Sequence, residues 1–172
     1  MSESAHAAGP TAPRGSAKGP GLRRLTLHRV AVPLKKPVKH ASHERTASEN
    51  LVARVELDDG SVGYGEGVPR EYVTGETLES TFADLGGTDW GRAVGRPGSF
   101  ADLVAVLTTL SLPAIDEDPR GMRGNAARCA LETALIDAYG RSFGEPAGRV
   151  VDLVGFEGLE RFPSPRSVRY SA

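Results

Sequence analysis

His40 and His43, with Glu44 beside them, have the three-residue spacing with which a loop presents two metal ligands. No further committed donor accompanies them, so they read as part of a solvated polar loop. Asp116-Glu-Asp118 offers carboxylates to a hard cation, but Pro119 follows directly and the segment reads as an inter-helix connection. Gly63-Tyr-Gly-Glu-Gly67 has the glycine density of a phosphate-binding loop. A dinucleotide fingerprint, however, needs G-x-G-x-x-G running straight into a helix, and here the spacing differs and Val68-Pro-Arg-Glu-Tyr72 intervenes. Those glycines are expected instead to let another backbone approach a strand closely. Ser, His and Asp all occur, yet no G-x-S-x-G elbow supports nucleophilic catalysis. Cys129 falls in an alanine-rich stretch, where a buried structural thiol is expected.

The elements that would carry these residues follow from periodicity. Leu25, Leu27, Val30 and Val32 mark a first strand from Leu22, with a slip near His28-Arg29 that a bulge would explain, and Pro33 and Pro37 are expected to end it. A polar loop, Val38 to Glu49, then holds the two histidines. Leu51, Ala53, Val55 and Leu57 alternate, Asp58-Asp-Gly60 supplies turn chemistry, and Val62-Gly-Tyr-Gly-Glu66 returns as the partner strand. From Thr74 the period changes to 3.6: Thr74 is expected to cap a helix with Glu76 in its first turn and Leu78, Phe82 and Leu85 on one face. Ser99 opens a second helix with Leu103, Val106, Leu107 and Leu110 on its face, closed by Pro113. Asn125 opens a third through Tyr139, whose small stripe of Ala127, Leu131, Ala134 and Ala138 invites a second backbone to pack against it. The fold class is therefore α+β: a three-stranded antiparallel meander, strands near 22–33, 50–58 and 61–67, followed by a helical bundle. Residues 1–21 read as a disordered tail, 22–155 as one domain, and 156–172 as a linker whose alternating end starts another strand.

With 172 residues, 39% hydrophobic and 25% charged, the chain suits one globular domain. It has no apolar run of membrane-spanning length, and Ser2 to Gly21 lacks the apolar core of a signal peptide. One cysteine excludes an internal disulfide framework and fits a reducing, cytoplasmic setting. Residues 1–48 carry nine Lys or Arg against two acids, which leaves −8 on the remainder of a chain of net charge −1. This basic arm lacks interleaved aromatics, and its charges alternate with apolar residues as on a half-buried strand face, so nucleic acid is not the expected partner.

Val55-Glu-Leu-Asp-Asp-Gly-Ser-Val-Gly-Tyr-Gly-Glu66 followed, about 60 residues on, by Asn125-Ala-Ala-Arg-Cys-Ala-Leu-Glu-Thr-Ala-Leu-Ile-Asp137 resembles the N-terminal capping domain of enolase-superfamily enzymes of the mandelate racemase and muconate-lactonizing type. Gly65-Glu-Gly-Val-Pro-Arg-Glu-Tyr-Val-Thr-Gly-Glu-Thr77 is most similar to the muconate-lactonizing and dipeptide-epimerase branch. The resemblance spans roughly Leu22 to Val154. It implies a cap on a TIM barrel supplied in cis or in trans, and a full-length racemase, epimerase, cycloisomerase or dehydratase. Such an enzyme abstracts a proton next to a carboxylate with Mg²⁺ assistance, on a small carboxylate substrate.

The family's base and metal ligands lie on barrel strands, so no catalytic residue, metal ligand or cofactor is expected in this chain itself, whose last residues read as the start of a barrel strand. The resemblance implies that two lid segments, Pro37–Glu49 and Val68–Gly75, cover the barrel mouth and select the substrate. Their polar tips, His40, Ser42, His43, Arg70 and Tyr72, are the candidate substrate-binding residues. The competing reading is a stand-alone protein-interaction module with the cap fold and no catalysis. Self-association into a homo-oligomer is compatible with either.

Overall fold

The computed structural model describes residues 18–39, 44–112 and 124–155. Strands β1 (Leu22–Lys39), β2 (Glu44–Leu57) and β3 (Val62–Gly67) form an antiparallel sheet in the order β1-β2-β3. Six helices follow among the described residues: α1 (Glu71–Thr74), α2 (Leu78–Gly86), α3 (Trp90–Val94), α4 (Phe100–Thr109), α5 (Asn125–Phe143) and α6 (Arg149–Val154). The α+β architecture expected from the change of period is the one observed. Among the described residues no helix is long and apolar enough to cross a membrane.

The central strand shows why the meander forms. Leu51, Ala53, Val55 and Leu57 are fully buried, and the residues between them point to the other face. At the β2–β3 turn Gly60 takes φ 89°, open to glycine at no cost, and Leu57 N–H donates to the Ser61 carbonyl at 2.9 Å.

The first strand differs from expectation. It passes both prolines and runs to Lys39, while β2 begins at Glu44, so most of the expected Val38–Glu49 loop is strand. β1 is an edge strand, where a missing N–H donor is tolerated. Its pairing with β2 is unbroken from Arg24↔Glu56 to Pro33↔Ala47 and slips before Val38↔Arg45, which absorbs Pro37 in an irregularity. The slip suspected at His28-Arg29 is absent, and the other irregularity lies between Leu22 and Arg24.

The helix starts also shift. Thr74 ends α1, Gly75 reverses the chain at φ 77°, and Thr77 is the cap of α2: its hydroxyl accepts from Ser80 N–H, and the Ser80 hydroxyl accepts from Thr77 N–H, both at 3.1 Å. Ser99 caps α4 as expected, accepting from Asp102 N–H at 3.1 Å. The buried face of α4 is Phe100, Leu103, Val104 and Leu107, so Val104 takes the place expected of Val106. Gly124, not Asn125, precedes α5, and Cys129 is exposed because it lies on the face of α5 turned from the sheet. Val150 to Val154, a short apolar segment in the sequence, forms most of α6.

The long helix and the short strand meet backbone to backbone. Gly63, Gly65 and Gly67 face α5, and a Cβ on each would lie 2.2 Å from Ala138 N, 2.1 Å from the Ala130 carbonyl oxygen and 2.1 Å from the Ala126 carbonyl oxygen respectively. Two strand residues advance about 6.7 Å and four helical residues about 6 Å, so glycines at i, i+2 and alanines at i, i+4 stay in step along an antiparallel crossing. The second backbone expected against the small stripe is therefore β3 of the same chain.

At the far end of α5, Tyr139 is fully buried, stacks on Phe143 at 6.0 Å and donates its hydroxyl to the Pro20 carbonyl at 3.0 Å. Burial, aided by the negative charge of Asp58, raises its pKa from 10.0 to about 12. The raised folded-state pKa means the neutral phenol stabilises the fold fully below pH 10, and this is lost as pH rises towards 12. The displacement corresponds to about 3 kcal/mol. Wild-type stability in urea titrations is expected to fall by about 2 kcal/mol between pH 10 and 12 relative to Tyr139→Phe, with the remainder lost above pH 12. Equal pH slopes in the two proteins would remove tyrosine as the cause.

Candidate functional site

Strands β1 and β2 extend beyond β3, and the chain leaving β3 continues alongside this overhang through Pro69, Arg70 and α1. Between them lies a cleft of about 460 Å³, within the range of small-molecule sites. Glu44, Arg45 and Glu49 line it from β2, Arg70, Glu71 and Tyr72 from the segment after β3, Glu76 from the α1–α2 connection and Glu79 from the first turn of α2.

Arg70 ties the two walls together. Its guanidinium donates to Ser48 Oγ at 2.9 Å, to the Glu49 carbonyl at 3.3 Å and to the Pro69 carbonyl at 2.8 Å. Ser48 in turn donates to Asn50 Oδ1 at 2.7 Å, and Asn50 Nδ2 donates to Glu66 Oε1 at 2.5 Å, so the network reaches the end of β3. Burial, with the nearby positive charge of Arg45, holds the Arg70 pKa below the usual arginine range. Arg45 itself lies over the Tyr72 ring, 5.9 Å from its centroid.

Glu76 forms the floor. It is 1% exposed, and Oε1 accepts the Ala126 N–H at 2.9 Å, so a residue from the α1–α2 connection satisfies the first turn of α5. Its other oxygen, Oε2, is buried without a partner, as is Arg45 Nε. One cleft thus contains a buried acceptor and a buried donor that are unmatched among the described residues.

Of the five candidate residues, the structure brings Arg70 and Tyr72 together at this cleft, and His40, Ser42 and His43 lie outside the described residues, as does Asp116-Glu-Asp118. Arg45 and Glu76 escaped the sequence reading. Glu76 looked like a first-turn acid of its own helix, and its partner Ala126 is 50 positions away, which no local pattern signals. Arg45 falls in the expected loop because Pro33 and Pro37 read as the end of the first strand, whereas the pairing resumes past them at Val38↔Arg45. Among the described residues no group of three or more His, Cys, Asp or Glu is arranged to hold a metal ion. Those residues do not fit a Mg²⁺ site, and no chemical step through a metal is assigned to them.

No protein-family model matches the chain. It is 26% identical over 142 residues to the N-succinyl-L-Arg/Lys racemase of Bacillus cereus, covering 83% of this chain and 35% of that protein. It is 30% identical over 124 residues to the L-Ala-D/L-Glu epimerase of Bacillus subtilis, covering 72% and 31%. Among solved structures it is similar to the dipeptide epimerase of Methylococcus capsulatus complexed with Mg and the dipeptide L-Arg-D-Lys, at 28% identity and a TM-score of 0.59, covering 78% of this chain and 35% of that one. The chain therefore spans about a third of the length of the relatives it matches.

Proposed function

From a chain whose homologues are epimerases and racemases of the mandelate racemase/muconate lactonizing enzyme (enolase) superfamily, we propose that this domain is a capping and substrate-selecting unit that works on a barrel supplied in cis or in trans. The observation that carries the reading is the convergence of the β1–β2 overhang and the Val68–Gly75 segment on one cleft, pinned by Arg70. Both segments leave the sheet at the same end, and the Asp58–Gly60 turn lies at the other.

In this reading the whole enzyme is an isomerase or lyase that removes a proton next to a carboxylate of a small substrate, with Mg²⁺ and the base belonging to the barrel. Arg70 and Tyr72, together with His40, Ser42 and His43, orient and select the substrate's distal group. They exclude water and hold no catalytic proton. The single cysteine supports a reducing, cytoplasmic setting.

With a matching barrel present, Tyr72→Ala is expected to change KM and substrate ranking by about tenfold, equivalent to about 1.4 kcal/mol, with a smaller effect on the proton-abstraction step. Asp59→Ala at the opposite turn is the control. The readout is kcat/KM over a panel of dipeptides and N-acylated amino acids, with solvent deuterium incorporation reporting proton abstraction. Equal shifts in ranking from Tyr72→Ala and Asp59→Ala would defeat the lid assignment and favour a binding module without catalysis.

A further inference from the structure

The charge balance of the cleft says more than its position does. Five carboxylates, Glu44, Glu49, Glu71, Glu76 and Glu79, line it against two cations, Arg45 and Arg70. Both cations are engaged: Arg70 with Ser48 and two carbonyls, Arg45 over the Tyr72 ring. Two of the acids are paired outward, Glu79 with Arg29 and Glu44 with Lys39. Glu76 is the decisive group because it is 1% exposed and its Oε2 lacks a partner while Oε1 is fixed on Ala126 N–H. A buried carboxylate oxygen without a donor is costly, and a charged donor entering the cleft relieves that cost.

We propose that this cleft takes a protonated amine or guanidinium, the cationic end of a small amide-bearing substrate, with Glu76 as its innermost carboxylate and Glu49 and Glu71 at the rim. The unmatched Arg45 Nε–H accepts a complementary role as donor to a carbonyl of the same molecule. The inference rests on the cleft's being the lid, and it adds the charge of what the lid selects. With Glu44 and Glu79 paired, Glu49, Glu71 and Glu76 outnumber Arg45 and Arg70 by one charge, and that balance favours entry of a cation over an anion.

The test uses the full 172-residue chain and three blocked amino acids as probes: the N-acetyl methylamides of L-lysine, L-norleucine and L-glutamate. Norleucine has the lysine chain without its ammonium. Amide chemical shifts are followed by NMR titration. Saturable shifts at Glu76, Thr77 and Leu78 are expected with the lysine probe, at least about tenfold tighter than with norleucine, as a charge-assisted hydrogen bond provides. Glu76→Gln retains an oxygen for Ala126 N–H while removing the charge, and is expected to bring lysine affinity down to that of norleucine. If that variant does not fold by circular dichroism, the double variant Glu49→Gln/Glu71→Gln at the exposed rim is measured instead and is expected to weaken lysine about threefold or more. Tighter binding of the glutamate probe, no saturable binding of any probe, or unchanged lysine preference in a folded variant would overturn the cation assignment. The first of these outcomes leaves the lid reading standing, because the cleft would still select a substrate end. The lid reading itself fails only on the barrel-dependent ranking above.

Discussion

Gly65→Ala is expected to lower the unfolding free energy by about 3 kcal/mol or more, the upper range for overpacking, and to abolish folding if the domain is marginal. The added methyl would sit 2.1 Å from the Ala130 carbonyl oxygen and 2.5 Å from Ala134 N. Both are backbone atoms of a helix, so no side chain can swing aside. α5 would have to move bodily off β3, and it is the helix that contributes Ala127, Ala130, Leu131, Ala134, Leu135, Ala138 and Tyr139 to the core. Movement there also reaches the cleft, because the N-terminus of α5 is held by Glu76 through Ala126 N–H. Gly87→Ala is the matched control: its φ is −90°, the nearest atom to an added Cβ is 4.0 Å away, and the change is expected to stay within about 0.5 kcal/mol. Urea unfolding of the three proteins, followed by circular dichroism, decides the matter. A Gly65→Ala protein as stable as Gly87→Ala would mean that the helix and strand do not meet as described.

The glycine ladder is legible in outline in the sequence. Alternating glycines after a turn, and a long run of small residues later, each ask for a close backbone neighbour, and together they answer one another. The sequence does not supply the register: its pattern points to a stripe of Ala127, Leu131, Ala134 and Ala138, whereas Ala126, Ala130, Ala134 and Ala138 meet the glycines. A shift of one residue on a helix turns its face by about 100°, and a helix apolar on several sides gives no period to fix that angle. The same limit explains the cleft. Arg70 and Tyr72 could be placed near it because a turn and a period change bracket them, but Arg45 depended on a strand irregularity beside Pro37, and Glu76 on a contact 50 residues distant. Local pattern reports elements; contacts between distant segments come only from packing them.

Helix α3 was missed altogether, and it is the source of the second large effect. Five residues, Trp90 to Val94, are too few to display a 3.6 period, and glycines at 86, 87, 91 and 95 make the stretch look like loop. What makes it an element is one side chain. Trp90 is 3% exposed, and its indole N–H donates to the Leu85 carbonyl at 2.7 Å, satisfying an orphan acceptor in the last turn of α2. Asp89 caps the turn by accepting Arg92 N–H at 3.0 Å. Trp90→Ala is expected to cost about 3 to 5 kcal/mol, the usual range for deleting a large buried aromatic, and Trp90→Phe about 1 to 2 kcal/mol, mainly for the lost hydrogen bond. Because Trp90 is the only tryptophan in the chain, both variants are compared with wild type by circular dichroism in urea rather than by fluorescence. The loss should not reach the cleft: α3 lies beside Leu22, at the start of an 18-residue strand whose far end carries the hairpin. A folded Trp90→Phe protein is therefore expected to keep the wild-type order of probe affinities while unfolding at lower urea. If Trp90→Ala unfolds within about 1 kcal/mol of wild type, the indole is not the anchor that joins α2 and α3 to the core.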